Sequence, residues 1–465
     1  MPRPDRGDVA MTLTRQPTIA ERFTRSAEAT DSPIAPNAEF AEWFAARSAA
    51  HSYVVERVPL AALPGWEFEA GTGDLRHTSG RFFGFTGVHA RTDRGEWDQP
   101  IIDQPEIGVL GLVAKDFGGV LHFLVQAKME PGNRNLVQLS TTVQATRGNY
   151  LRTHQGLPTP HLEHFLPPRR SRVLVDRIQA EHSQWFLRTH NRNIVVETDQ
   201  AVPIGPDYRW LTLGQLWGLL GRDNLLNSET RTVLSGIPVA PPGGETASPY
   251  RAALRRSLTG PPPDRDLLSW FIDGKGALEP VARQCGLAEV AGWHRDDDRI
   301  ARPDGRHFSV VGVRVEAPTR EVTRWSQPLI EPAAEGLFGL VVQQDGGVLR
   351  LLLHARADAG SAQFTEFGPT VQCCVTGDRP VPFLADVLTP APGSVRHDSL
   401  QSEKGGRFLD AVNRYRVVEL PADRPVALPD GYRWLSLRQA MELTAQADQV
   451  NIQARTLLIA LLSTW

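Results

Sequence analysis

Hydrophobic and polar positions along the chain change period several times, and they do so in the same order twice. Over residues 40–50 apolar side chains fall at helical spacing and include the pair Trp43-Phe44. Strand-like runs follow. Residues 81–88 and 307–315 are rich in aromatic and β-branched side chains, which predicts strands, and 107–114 and 337–342 predict the next ones. Gly118-Gly119 and Gly346-Gly347 each stand between two apolar runs. That predicts tight hairpins, because the favoured two-residue turn needs positive φ at both central residues. Residues 121–128 and 349–356 are the predicted return strands, with short strands at 136–139 and near 364–367. Helical spacing returns over 211–220, and another helix is predicted to begin at Asn227. A run of strands closed by helices implies an α+β fold.

The recurrence extends to individual residues. Trp43-Phe44 returns as Trp270-Phe271, and Trp97-Asp98-Gln99-Pro100 as Trp325-Ser326-Gln327-Pro328. Thr142-Val143-Gln144 matches Thr370-Val371-Gln372, Asn191-Arg192 matches Asn413-Arg414, and Tyr208-Arg209-Trp210-Leu211 matches Tyr432-Arg433-Trp434-Leu435. So many ordered matches at a nearly constant offset identify an internal duplication. The reading divides the chain into a flexible tail (1–37), a first module (38–240), a Pro/Gly-rich linker (241–264) and a second module (265–465).

Composition narrows the classes. The formal net charge is −3, with none of the basic excess of a nucleic-acid protein, so an anionic substrate needs a local cluster of Arg and Lys. Three cysteines, two of them adjacent, form neither a disulfide framework nor a zinc motif. No apolar run is long enough to span a membrane and no secretory signal is visible, so a cytoplasmic protein is expected. There is no glycine-rich phosphate loop of the dinucleotide or P-loop type.

Several of these segments resemble the NDP-hexose 2,3-dehydratases of deoxysugar biosynthesis. The resemblance is carried by residues 97–102 (Trp-Asp-Gln-Pro-Ile-Ile), 123–132 (Phe-Leu-Val-Gln-Ala-Lys-Met-Glu-Pro-Gly), 137–150, Asn191-Arg192-Asn193 and both Tyr-Arg-Trp-Leu segments. It departs at Thr141, where the family pattern has proline, and at Gly148, where serine is frequent. The resemblance implies two tandem Nudix-like modules, usually in a homodimer, although the metal-binding glutamates of the hydrolytic Nudix box are absent from this sequence. It also implies a carbon–oxygen lyase that removes water across carbons 2 and 3 of a dTDP-linked 4-keto-6-deoxyglucose. No redox cofactor and no metal are implied, and a 3-ketoreductase is the expected functional partner. The competing reading is a non-catalytic nucleotide-sugar-binding or scaffold protein.

Such an elimination needs a base, an acid, a donor to the enolate oxygen and cations for the diphosphate. The expected catalytic candidates are Lys128, Glu130, Tyr150 and His154, with Gln138 and Gln144 on sugar oxygens and Asn149 as a further substrate-binding residue. The second copy has Arg356, Asp358, Glu366 and Gln372 in equivalent places and lacks the Tyr and His, which points to chemistry in the first copy. Arg147, Arg192 and Arg231, with Arg414 and Arg455 in the second copy, are candidates for the diphosphate because guanidinium forks suit phosphate oxygens. Trp97 and Trp325, followed by Gln99 and Gln327, are candidates to stack on the nucleotide base. Each choice has a plainer alternative: Arg residues that tie loops to helices, core Trp and Tyr residues, glutamines that serve the fold of both copies, Lys128 as an edge charge and His154 as a solvated loop residue.

Overall fold

A computed structural model describes residues 16–50, 52–92, 95–150, 157–168, 171–244, 246–277, 281–318, 320–361, 365–374 and 380–465. Each repeat contributes one large and one small sheet. The seven-stranded sheet of the first repeat is built around the hairpin Gly108–Phe117 and Val120–Met129. His190–Glu197 lies parallel to the first of these strands, and the other pairings are antiparallel. The second repeat forms the same sheet around Gly336–Asp345 and Val348–Arg356, with Val412–Leu420 as its parallel neighbour. The predicted hairpins are present: Gly118 and Gly119, like Gly346 and Gly347, all have positive φ.

The small sheets show why the halves cannot be separated. Val54–Val58 of the first repeat pairs with Phe308–Glu316 of the second, and Val281–Cys285 of the second pairs with Gly84–Thr92 of the first. Each small sheet therefore borrows its edge strand across the duplication. The small sheet carrying Phe308–Glu316 packs against the first repeat's large sheet, with Val311, Val313 and Leu329 meeting Ala127, Met129 and Val137. Two glycines make the crossing possible. A Cβ on Gly132 would lie 1.7 Å from the Phe408 carbonyl oxygen, and one on Gly360 1.7 Å from that of Phe186.

A single large core runs through both repeats, from Phe23 and Phe123 to Leu457 and Leu461. Two buried arginines staple it reciprocally. Arg231 donates to the carbonyls of Leu226 (2.7 Å) and Ser402 (2.9 Å) and pairs with Glu403 at 3.2 Å. Arg455 donates to the Val450 (2.9 Å) and Ala180 (2.7 Å) carbonyls and to Gln179 (2.9 Å). Breaking a buried pair of this kind by removing one partner costs about 3–5 kcal/mol, because the other charge is left unpaired.

The predicted tail and linker are corrected in part. Residues 1–15 lie outside the described residues, but Ile19–Glu28 is a helix capped by Thr18, and Phe23 in it is fully buried against Phe123. Pro249–Thr259, inside the expected linker, is its counterpart. Ser26 donates to the Leu121 carbonyl and accepts from Leu213 N, and Ser257 does the same with Leu349 and Leu437. The repeat is thus one helix longer at its start than the aromatic and glycine words suggest. Among the described residues no helix is long and apolar enough to cross a membrane.

Candidate active site

Because the small sheets are exchanged, each cleft is built from both repeats. The larger, of ≈ 800 Å³, lies between the first repeat's large sheet and the second repeat's small sheet. Lys128 is the penultimate residue of Val120–Met129, and Glu130 opens the turn that follows. Gln144, on Val143–Ala145, lies beside them because that strand pairs with Gly108–Phe117. Lys128 Nζ donates to the Gln144 side-chain and main-chain oxygens, both at 3.3 Å, and Gln144 Nε2 donates to Glu130 Oε1 at 2.7 Å. The second oxygen of Glu130 is buried without a partner. Burial, reinforced by the Arg320 guanidinium, brings the Lys128 ammonium down to about 8.

The rest of the wall supplies cations and rings. Arg320, Arg324, Lys404 and Arg407, all from the second repeat, line the cleft, as do Trp66, Phe83 and Trp325. Arg407 lies 3.8 Å over the Phe83 ring and donates to Gln104 at 2.9 Å, and burial lowers it to about 10. Lys404 donates to Glu181 at 2.6 Å. Burial opposes its charge, but Glu181 and Glu229 outweigh that and hold it above the ordinary value. Behind it His182 bridges Glu181 at 3.3 Å and Glu403 at 2.9 Å. Burial opposes the charge of Glu403, yet the His182 hydrogen bond and the charges of His182 and Arg231 bring it down to about 2.

The smaller cleft, of ≈ 350 Å³, joins Arg356, Asp358 and Gln372 of the second repeat to Trp97, Gln99, Gln184 and Trp185 of the first. Here Arg356 closes directly on Asp358 at 3.0 Å.

The expected residues are thus sorted. Lys128, Glu130, Gln144, Asn149, Trp325 and Gln327 meet in the larger cleft. Trp97 and Gln99 do not join them, because they lie on the first repeat's own small sheet, which lines the smaller cleft with Gln372. In both copies the tryptophan Nε1 donates to the glutamine at 2.8 Å. The glutamine in turn donates to a main-chain carbonyl of the crossing segment, Gln184 or Gly406, at 2.8 Å, so it serves as an anchor. Arg231 and Arg455 are core staples out of reach of a ligand. Arg192 pairs with Asp176, and Arg414 with Asp398 at 3.0 Å, at the outer strands of the large sheets. Arg147 is exposed and lines neither cleft. Gln138 is buried on Asn135 at 2.9 Å, and Glu366 is buried in the core, where burial pushes its carboxyl up to about 7. His154 and the Tyr150 side chain lie outside the described residues. Among the described residues, His161, Glu163 and His164 bring potential ligand atoms within 4.8 Å of one another, but they line neither cleft.

Sequence reasoning missed Arg320, Lys404, Arg407, Trp66 and Glu229. A signal for two of them existed: residues 403–408 align with 181–186, and Lys404 and Arg407 replace His182 and Trp185.

A duplicated α+β chain with a buried carboxylate, a buried ammonium and a ring of guanidinium groups in one cleft has the makings of an acid–base enzyme for an anionic substrate. The chain belongs to the NDP-hexose 2,3-dehydratase family, whose model matches residues 37–237 and again 264–461. Three relatives bear the name dTDP-4-dehydro-6-deoxy-alpha-D-glucopyranose 2,3-dehydratase. That of Saccharopolyspora spinosa is 44% identical over 96% of this chain and 95% of its own length. The Streptomyces violaceoruber protein is 45% identical over 91% and 97%, and the Amycolatopsis orientalis protein 42% identical over 94% and 93%.

Proposed function

We propose that this protein is a dTDP-4-dehydro-6-deoxy-α-D-glucose 2,3-dehydratase, a carbon–oxygen lyase, and that its chemistry takes place in the larger cleft. The carrying observation is the Lys128–Gln144–Glu130 arrangement, in which an unpartnered carboxylate oxygen and a lowered ammonium line one cavity.

In this reading Glu130 takes the proton from carbon 3, which the ketone at carbon 4 acidifies. Lys128 donates to the oxygen of the enolate that forms. The carbon 3–carbon 4 enolate then expels the hydroxyl of carbon 2, which leaves as water once protonated. The resulting enol relaxes to the 3,4-diketo-2,6-dideoxy sugar, with no net change of oxidation state. Tyr150 and His154 remain candidates for the acid that protonates the leaving hydroxyl. Arg320, Lys404 and Arg407 supply positive charge for the diphosphate, and Trp66, Phe83 and Trp325 supply ring faces for the thymine. The smaller cleft is assigned no chemistry, because its carboxylate is already neutralised by Arg356.

We further read each large sheet with its helices as a Nudix-like module, the assembly as a homodimer in the cytoplasm, and a 3-ketoreductase as the consumer of the reactive diketone. Incubation with dTDP-4-keto-6-deoxyglucose, with and without such a reductase and NADPH, tests the assignment. Loss of substrate to a diketo product or its breakdown product is expected. Tight binding without turnover would leave a nucleotide-sugar-binding protein.

A further inference from the structure

Glu229 lies behind the cleft on the helix Ser228–Ser235, whose cap, Asn227, accepts from Thr230 N at 2.9 Å. It is 1% exposed, and its Oε2 has no hydrogen-bond partner. Its Oε1 accepts from Gln144 Nε2 at 3.0 Å, so the two hydrogens of one amide serve two carboxyl groups, Glu130 and Glu229. The opposite end of the amide, Oε1, accepts from Ser140 (3.1 Å), Lys128 (3.3 Å) and Asn227 (3.4 Å). Flipping Gln144 would set its NH₂ against an ammonium and its oxygen against two carboxyls. Glu229 is therefore half of the reason that Gln144 points one way.

The other repeat provides an internal comparison. The position equivalent to Glu229 is Gln453, which is also buried. There Gln372 accepts from Asn451 at 3.0 Å and donates to Gln184 at 3.3 Å. The fold thus tolerates an amide at this position, and the carboxyl occurs only behind the cleft with the open Lys128–Glu130 pair.

We propose that Glu229 is a positioning residue of the dehydration: a second, protonatable carboxyl that orients Gln144 and sets the charge felt by Lys128 and Glu130. The proposal rests on the placement of the chemistry in the larger cleft. The groups facing Glu229 are Glu130 and Lys128 from the strand and turn in front of it, and Glu181, Lys404 and Arg407 from the crossing segments. Lys404 is the nearest cation, at 3.5 Å. Burial, with Glu130 adding to it, pushes the Glu229 carboxyl up to about 7. Its charged form, above that pH, holds Lys128 protonated for longer.

The test is the pH profile of turnover in Glu229→Gln and Glu229→Ala. In Glu229→Ala, kcat is expected to fall by roughly 10-fold or more, with KM for the sugar nucleotide within about 2-fold, because Gln144 loses its second anchor. Glu229→Gln is expected to recover most of that kcat. Its alkaline limb should move to lower pH by about half a unit or more, because the charge that supports Lys128 is gone. Should the alanine variant fail to fold, the glutamine profile alone decides. A wild-type profile in Glu229→Gln, or equal kcat losses in both variants with an unmoved limb, would overturn the proposal. Glu130→Gln serves as the reference: full turnover in that variant would refute the placement of the chemistry, whatever Glu229 does.

Discussion

Arg356 and Asp358 close on each other at 3.0 Å, whereas their counterparts Lys128 and Glu130 are linked through the Gln144 amide. One cleft holds a finished ion pair. The other holds an ammonium and a carboxylate with capacity to spare. Two duplicated frames of nearly the same construction thus offer a substrate different chemistry, and the difference lies in a few side chains at the end of one strand.

The lowered Lys128 ammonium predicts an alkaline limit to turnover. Its cation is present below about 8 and is lost above it. With the cation goes the proposed donor to the enolate oxygen, so kcat/KM should fall as pH rises through that value. Lys128→Arg keeps its charge at any accessible pH. Whatever rate survives the change of shape should show no fall there. Initial rates between about pH 6 and about pH 10 check this, and a limb at the wild-type position in Lys128→Arg would contradict it.

Gly132 predicts that the crossing of the repeats is sterically strict. The Phe408 carbonyl oxygen leaves no room for a Cβ. Gly132→Ala should therefore destabilise the protein by about 3 kcal/mol or more, since main chain on both sides must move. Gly118→Asn is the comparison. A Cβ there meets nothing within 4 Å, and asparagine accepts the left-handed turn, so a change of less than about 1 kcal/mol is expected. Chemical denaturation of both variants distinguishes them.

The raised Glu366 carboxyl predicts a slope in stability with pH. Burial drives it up to about 7 despite Arg455, and Asp448 and Asp358 add to the rise. An unfolded glutamate titrates near ~4.3. Between these values the folded protein keeps a proton that the unfolded chain has lost. Its contribution therefore weakens stability as pH rises from about 4 to about 7, then stays level. Glu366→Gln should be less destabilised than wild type between about pH 5 and about pH 8, by up to ~1.4 kcal/mol for each unit of the shift. Urea midpoints at those two pH values give the comparison, and equal drops in both proteins would contradict it.

Much of this was legible in the chain because local rules dominate where they apply. Paired glycines fixed the hairpins at 118–119 and 346–347, and the apolar runs flanking them placed the central strands. The Lys128–Gln144 grouping was legible because both residues belong to short-range strands of one sheet that pair with the same strand, Gly108–Phe117. Strand exchange was not, because Val54–Val58 is an ordinary strand whose partner is chosen by long-range packing. For that reason the parting of Trp97 from Trp325, and the entry of Lys404 and Arg407 into the larger cleft, could not be read from the sequence. Arg231 and Arg455 misled for a different reason: an arginine that holds a core together and one that holds a phosphate look alike until burial is known.

The most direct measurement is turnover of dTDP-4-keto-6-deoxyglucose by Glu130→Gln beside Asp358→Asn, with binding of dTDP followed in both. Loss of the proposed base should lower kcat by about 10²–10⁴-fold in Glu130→Gln while dTDP affinity stays within about 3-fold. Asp358→Asn should keep kcat within about 3-fold, because its cleft is assigned no chemistry. The opposite pattern, an active Glu130→Gln and an inactive Asp358→Asn of normal stability, would contradict the account and move the reaction to the smaller cleft.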